Sequence, residues 1–132
     1  NDVHNLIELI IKFNIEGIII SNTSDKNREN LEDIKKLEIG GLSGKPLNDI
    51  STNLIKKFYN ELKGKTKIIG VGGVDSGTSA YDKIAAGANL VQLYTGMVYK
   101  GPNIVKEIKE ELIKKLMKEK IKNIDEIVGI NA

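Results

Sequence analysis

The chain has 132 residues, no cysteine and a formal net charge of +2. That length can enclose a core, and the missing cysteines exclude disulfides and thiolate metal sites. The small charge gives no footing for nucleic-acid binding, and no apolar run approaches the ~20 residues that cross a bilayer.

The chain starts at Asn1 without methionine or a signal peptide, which reads as a piece of a longer or processed protein. Val3, Leu6, Ile7 and Ile10 are spaced for one buried face of a helix over residues 3–13, with Asn1-Asp2 as its cap. His4, the single histidine, has no second histidine or cysteine to share a metal and reads as a surface position. Gly17 to Ile20 is a continuous apolar run, as in a parallel strand buried on both faces. It ends at Ser21-Asn22-Thr23-Ser24, four small hydrogen-bonding side chains. In α/β architectures the strand C-terminus is where ligands bind, although a polar turn has the same composition.

Asp25 to Ile39 reads as a long loop with a helical turn near Leu31 to Lys36. Gly40-Gly41-Leu42-Ser43-Gly44-Lys45-Pro46-Leu47 follows, its proline holding Lys45 extended. Asp49 or Ser51 then caps a helix with Leu54, Ile55, Phe58 and Leu62 inward, ended by Gly64. Lys67 to Val71 is the next strand, and Gly72-Gly73-Val74-Asp75-Ser76-Gly77 leads into a helix over Thr78 to Ala86 with Ala80, Tyr81 and Ile84 inward. Paired glycines let backbone N–H groups approach a ligand, and an open helix N-terminus favours an anion. The stretch therefore reads as a phosphate-binding turn, or as a tight turn with no ligand.

Leu90 to Leu93 is a third strand and runs into Tyr94-Thr95-Gly96. Pro102 opens a helix to about Glu119, with Val105, Ile108, Leu112 and Leu116 on its buried side. On its outer face Lys106, Glu110 and Lys114, and also Glu111 and Lys115, are placed for i,i+4 pairs. A short helix over Ile124 to Val128 is capped by Asn123 and stopped by Gly129.

The order α-β-α-β-α-β-α predicts right-handed βαβ units and a parallel sheet. Three strands cannot close a barrel of eight and would leave open edges. The expectation is an α/β chain forming the C-terminal portion, about strands 6–8, of a (β/α)8 TIM barrel; a small open α/β sheet is the alternative. Residues 1–132 would then be the C-terminal part of one domain. Two glycine turns after the last two strands sit where such barrels bind phosphate. A phosphate-bearing cofactor without a metal fits, since Asp75 is the only acid at the strand ends.

Five segments resemble the class 2 dihydroorotate dehydrogenases, flavin enzymes of pyrimidine synthesis. They are Ser21 to Ser24, Gly40 to Leu47, Ile68 to Gly73, Lys83 to Ala88 and Val91 to Gly96, in the family's order. The tail from Ile108 to Gly129 resembles the ending of the quinone-using class. The resemblance implies an FMN-binding TIM barrel that oxidises dihydroorotate to orotate for UMP synthesis. Asn22 and Thr23 match substrate-binding positions, and their amide and hydroxyl groups suit the donors and acceptors of a pyrimidine. Ser21, where the family usually has threonine, matches a flavin contact. Gly44 and Gly73 match backbone contacts to FMN, and Tyr94 and Thr95 the pair beside its phosphate.

The same resemblance places the family's serine base and a flavin-contacting lysine upstream of the matched segments, so no catalytic residue is expected here. Ser43 and Ser76 lie in glycine-rich segments of different role. The chain alone should be inactive. Ubiquinone would be reached through N-terminal helices absent from this chain. The complete protein would be membrane-associated, at the mitochondrial inner membrane in a eukaryote or the cytoplasmic membrane in a bacterium. Another phosphate-binding barrel (a different FMN oxidoreductase or a sugar-phosphate lyase) and a non-catalytic half-barrel are the competing readings.

Overall fold

The computed structural model describes residues 2–26 and 28–132. The expected cap at Asn1 lies outside them. Three strands, β1 (Gly17–Ile20), β2 (Lys67–Val71) and β3 (Leu90–Gln92), form one sheet in the order β1-β2-β3. Both pairs are parallel, with Ile19 opposite Ile69 and Ile69 opposite Leu90. The α/β reading with a parallel sheet holds.

Among the described residues five helices accompany the sheet: α1 (Asp2–Lys12), α2 (Asn48–Leu62), α3 (Gly77–Ala85), α4 (Thr95–Lys100) and α5 (Ile104–Lys118). Ile7 and Ile10 of α1 and Ile55, Phe58 and Leu62 of α2 pack on Ile20 and Ile68 of the sheet. A second cluster joins Ala80 of α3 to Ile104 and Ile108 of α5 around Val74. A third joins Tyr81, Ile84 and Ala85 to Ile127 of the C-terminal 3₁₀ turn, Ile124–Ile127. Its expected cap is present: Asn123 accepts from the Asp125 N–H, and Glu126 reaches back to the Asn123 N–H. The expected turn in the long loop is a 3₁₀ turn over Ile34–Leu37, begun by Asp33.

Several expectations need correction. The sheet is not buried on both faces among the described residues. Ile20 is buried, but Ile19 is 57% exposed and Leu90 62%. The packed helices meet the Ile20–Ile68 side, so the row Ile19–Ile69–Leu90 belongs to none of the core clusters. Leu6 is likewise exposed, because α1 turns Ile7 and Ile10 inward.

Neither Asp49 nor Ser51 caps α2. A 3₁₀ turn over Lys45–Leu47 leads straight into it, and its N-cap position, Leu47, makes no side-chain bond. Ser51 is buried and committed elsewhere. As expected, Gly64 follows the end of α2 at φ 77°, and Lys63 before it is also left-handed, at φ 50°.

Helix α4 was not expected. Its residues Met97, Val98 and Tyr99 are exposed, so they carry no one-sided apolar pattern to read. Gly101, with φ 73°, breaks the chain between α4 and α5. The following helix thus starts at Ile104 and buries Ile104 rather than Val105. On its outer face the Lys106–Glu110 pair forms at 3.8 Å, whereas Lys115 pairs with Glu119 at 3.6 Å.

Candidate functional site

Because the three strands are parallel, their C-terminal ends lie along one edge. Ser21 to Ser24 leave β1 there, Gly72 to Asp75 leave β2, and Leu93 to Gly96 leave β3. The Gly40 to Leu47 segment returns to the same edge through an antiparallel bridge between Ser24 and Leu42. An open cleft of about 860 Å³ results. All seven residues singled out in the sequence line it: Ser21, Asn22, Thr23, Gly44, Gly73, Tyr94 and Thr95.

Each is placed by a local contact. The Ser21 N–H donates to the Val71 carbonyl at 3.2 Å and extends the sheet by one bond. The Asn22 side-chain oxygen accepts from the Thr23 N–H at 2.8 Å. The Thr95 hydroxyl meets the Ser43 hydroxyl at 3.1 Å, joining the β3 end to the glycine-rich segment. Gly44, at φ 79°, packs so closely on Thr95 that a Cβ would stand 2.9 Å from its methyl group. Tyr94 lines the cleft and is 79% exposed.

The two glycines after β2 are needed by the fold itself. Gly72 and Gly73 have φ 110° and 76°, a region that side chains disfavour. A Cβ on Gly73 would lie 2.6 Å from the Asn48 backbone, where α2 begins. Among the described residues, the N–H groups of Gly73, Thr95 and Gly96 make no hydrogen bond outside the helices and strands. Backbone donors gathered at one cleft are suited to an anion.

The start of α3 is closed, contrary to the reading of an open N-terminus there. Ser76 and Ser79 form a reciprocal capping box, and Glu111 of α5 accepts from the Gly77 N–H. These side chains take the N–H groups of Asp75, Ser76, Gly77 and Ser79, donors that an anion would use. The glycine turn and the β3 end, rather than the start of α3, line the cleft.

Two residues that bear on the site escaped the sequence reading. Lys83 on α3 is 0% exposed and donates to Ser51 Oγ at 2.7 Å, Thr52 Oγ1 at 3.0 Å and the Asn48 carbonyl at 3.2 Å. Ser51 in turn reaches the Gly72 carbonyl at 3.0 Å. Burial lowers the Lys83 pKa to about 8, against the opposing pull of Asp82 and Asp49. A signal was present: Lys83 stands among the inward residues Ala80 and Ile84, on the apolar face of its helix.

The wider lining is cationic. Arg28, Lys35, Lys36, Lys45 and Lys100 stand against Glu38 and Asp75. Arg28 is also a clamp, donating to the carbonyls of Lys36, Glu38 and Gly40. It gathers the loop beside the cleft. Among the described residues no group of three or more His, Cys, Asp or Glu could hold a metal.

The family model for dihydroorotate dehydrogenase matches residues 2–116. This chain belongs to the dihydroorotate dehydrogenase family. Its relatives are of the quinone type. The dihydroorotate dehydrogenase (quinone) of Trichodesmium erythraeum is 48% identical over 95% of this chain and 35% of its own length. The mitochondrial enzymes of Arabidopsis thaliana and Mus musculus are 43% and 40% identical, over 97% and 98% of this chain. A ligand-free crystal structure of DHODH from Eimeria tenella superimposes with a TM-score of 0.91 at 35% identity, covering 95% of this chain and 35% of that one. The chain thus spans about a third of the length of these relatives. Family membership sets aside the sugar-phosphate lyase.

Proposed function

We propose that these residues are strands six to eight, with the preceding helix, of the single FMN-binding barrel of a quinone-type dihydroorotate dehydrogenase. The complete protein oxidises dihydroorotate to orotate in pyrimidine synthesis and passes electrons to ubiquinone. The observation that carries this reading is the convergence of three parallel strand ends, with seven family-matched residues, on one cleft. The bare row Ile19–Ile69–Leu90 supports the barrel, since the inner face of a closed barrel is filled by side chains of the other strands.

The cleft suits FMN on its own chemistry. The N–H groups of Gly73 and Thr95 and the Thr95 hydroxyl would hold the phosphate, with Gly44 alongside. Ser21 offers a hydroxyl to the flavin ring from the end of β1. Asn22 and Thr23 bind and orient the pyrimidine: an amide both donates and accepts, as a ring of alternating carbonyls and N–H groups requires. When bound, FMN supplies the hydride acceptor. Nothing in this chain takes the substrate proton; that base comes from an earlier strand of the complete barrel.

Quinone entry and membrane association belong to the rest of the protein. No helix among the described residues is long and apolar enough to cross a membrane, and the plant and mouse relatives are named mitochondrial. The test is the absorbance spectrum of the complete protein, with dihydroorotate-dependent quinone reduction. Bound FMN with turnover is expected; protein that folds without flavin would overturn the assignment.

A further inference from the structure

We infer that Lys83 is a positioning residue: through Ser51 it locks the Gly72–Gly73 peptide so that the Gly73 N–H faces the cleft and its phosphate. The inference rests on the reading of the cleft as an FMN site.

A hydrogen-bond count makes the case. Two adjacent glycines at positive φ can turn their shared peptide with little steric resistance. In a planar trans peptide the C=O and the next N–H point in opposite directions. Whatever holds the Gly72 carbonyl therefore aims the Gly73 N–H. Among the described residues the Ser51 hydroxyl is the only donor to that carbonyl, at 3.0 Å. Ser51 has one proton and a competing acceptor, the Asn48 carbonyl at 3.1 Å. That carbonyl already receives Thr52 Oγ1 at 2.7 Å and Lys83 Nζ at 3.2 Å.

Lys83 also donates into Ser51 Oγ at 2.7 Å. Its three protons meet three oxygens, so the hydroxyl proton of Ser51 is turned toward Gly72. Without Lys83, Ser51 is free to bond back to its own helix, a habit of serine near a helix start, and the glycine peptide is released.

A second feature agrees. Lys83 is a buried cation with no carboxylate in salt-bridge contact among the described residues. It sits at the first turn of α2, the positive end of that helix. The charge of the helix end opposes a cation there, whereas an anion at the neighbouring glycine turn offsets both charges.

The experiment compares two flavins on the apoprotein of the complete enzyme. FMN carries the phosphate and riboflavin does not. Lys83→Met keeps the volume and removes the donors, and Ser51→Ala is the milder partner should the first variant fold poorly. In both, FMN affinity should fall roughly tenfold or more, the scale of a lost hydrogen-bond network at a charged group, and riboflavin affinity should stay within about twofold. Equal weakening of both flavins marks a general packing role and overturns the lock, as does no change in either. If the unaltered protein shows no preference for FMN over riboflavin, the phosphate site itself is wrong and the lock falls with it.

Discussion

Asn22 and Gly73 illustrate how one residue can be judged by what it touches. Asn22 is exposed to the cleft, with its oxygen held by the Thr23 N–H. On the proposed reading, replacing it by alanine leaves polar groups of the substrate unpaired, at ~1–3 kcal/mol per group. In the complete enzyme Asn22→Ala should lower kcat/KM for dihydroorotate by about one to two powers of ten while the bound FMN per protein, read from absorbance, is retained. Flavin loss without a kinetic defect would reverse the assignment. Gly73→Val is a poor probe of the cleft. Its side chain would strike the Asn48 backbone and force a side chain onto a φ of 76°, so strain of about 1–3 kcal/mol acts on the fold first. Thr95→Val is cleaner, because it keeps the shape and removes the hydroxyl. It should weaken FMN binding by about 1–2 kcal/mol with an unchanged melting temperature; unchanged FMN affinity would remove Thr95 from the site.

Between elements, the informative joints are α3 on α5 and α3 on α2. Glu111 reaches from α5 to the Gly77 N–H and so caps a neighbouring helix. Glu111→Ala should destabilise the protein by about 1–2 kcal/mol, the scale of a lost cap, and denaturant midpoints will tell. At the other joint, Lys83 has its pKa lowered by burial from 10.5 to about 8. Between those values the unfolded chain holds the proton and the folded chain does not, so stability rises with pH across that window and is flat below it. The gap corresponds to roughly 3 kcal/mol. Thermal melts of native and Lys83→Met protein, compared from pH 7 to 10.5, should diverge above pH 8 in favour of the native sequence. Parallel curves would mean that Lys83 keeps an ordinary pKa.

For the molecule as a whole, the row Ile19–Ile69–Leu90, exposed at Ile19 and Leu90 and half-buried at Ile69, carries the main consequence. An apolar sheet face with no covering layer is a surface for association, and both sheet edges are open to further strands. The 132 residues alone, supplied with FMN and a quinone, should therefore bind apolar dyes, self-associate and show no dihydroorotate oxidation above background. Turnover near that of a full-length relative would overturn the division of the site between this chain and the earlier strands.

Local signals were enough for the strands, most helix boundaries and the ligand-like strand ends. An apolar run closed by Ser21-Asn22-Thr23, a Gly72-Gly73 turn before a helical pattern, and Asn123 before the final turn each act over a few residues of chain. Family likeness was legible for the same reason, since its five segments are short and contiguous. Helix α4 was not, because its apolar residues face outward and break the periodic pattern. The capping roles of Asp49 and Ser51 were misread because a 3₁₀ turn and a lysine from another helix claimed those positions first. Tertiary structure alone decided that the seven cleft residues, spread from Ser21 to Thr95, share one edge of the sheet. It alone closed the N-terminus of α3 with Glu111 and brought Gly73 and Thr95 to one cleft. Contacts between residues more than thirty positions apart, such as Gly77 with Glu111 and Lys83 with Ser51, leave no trace in local sequence, because burial and hydrogen bonding there are set by the packing of whole helices.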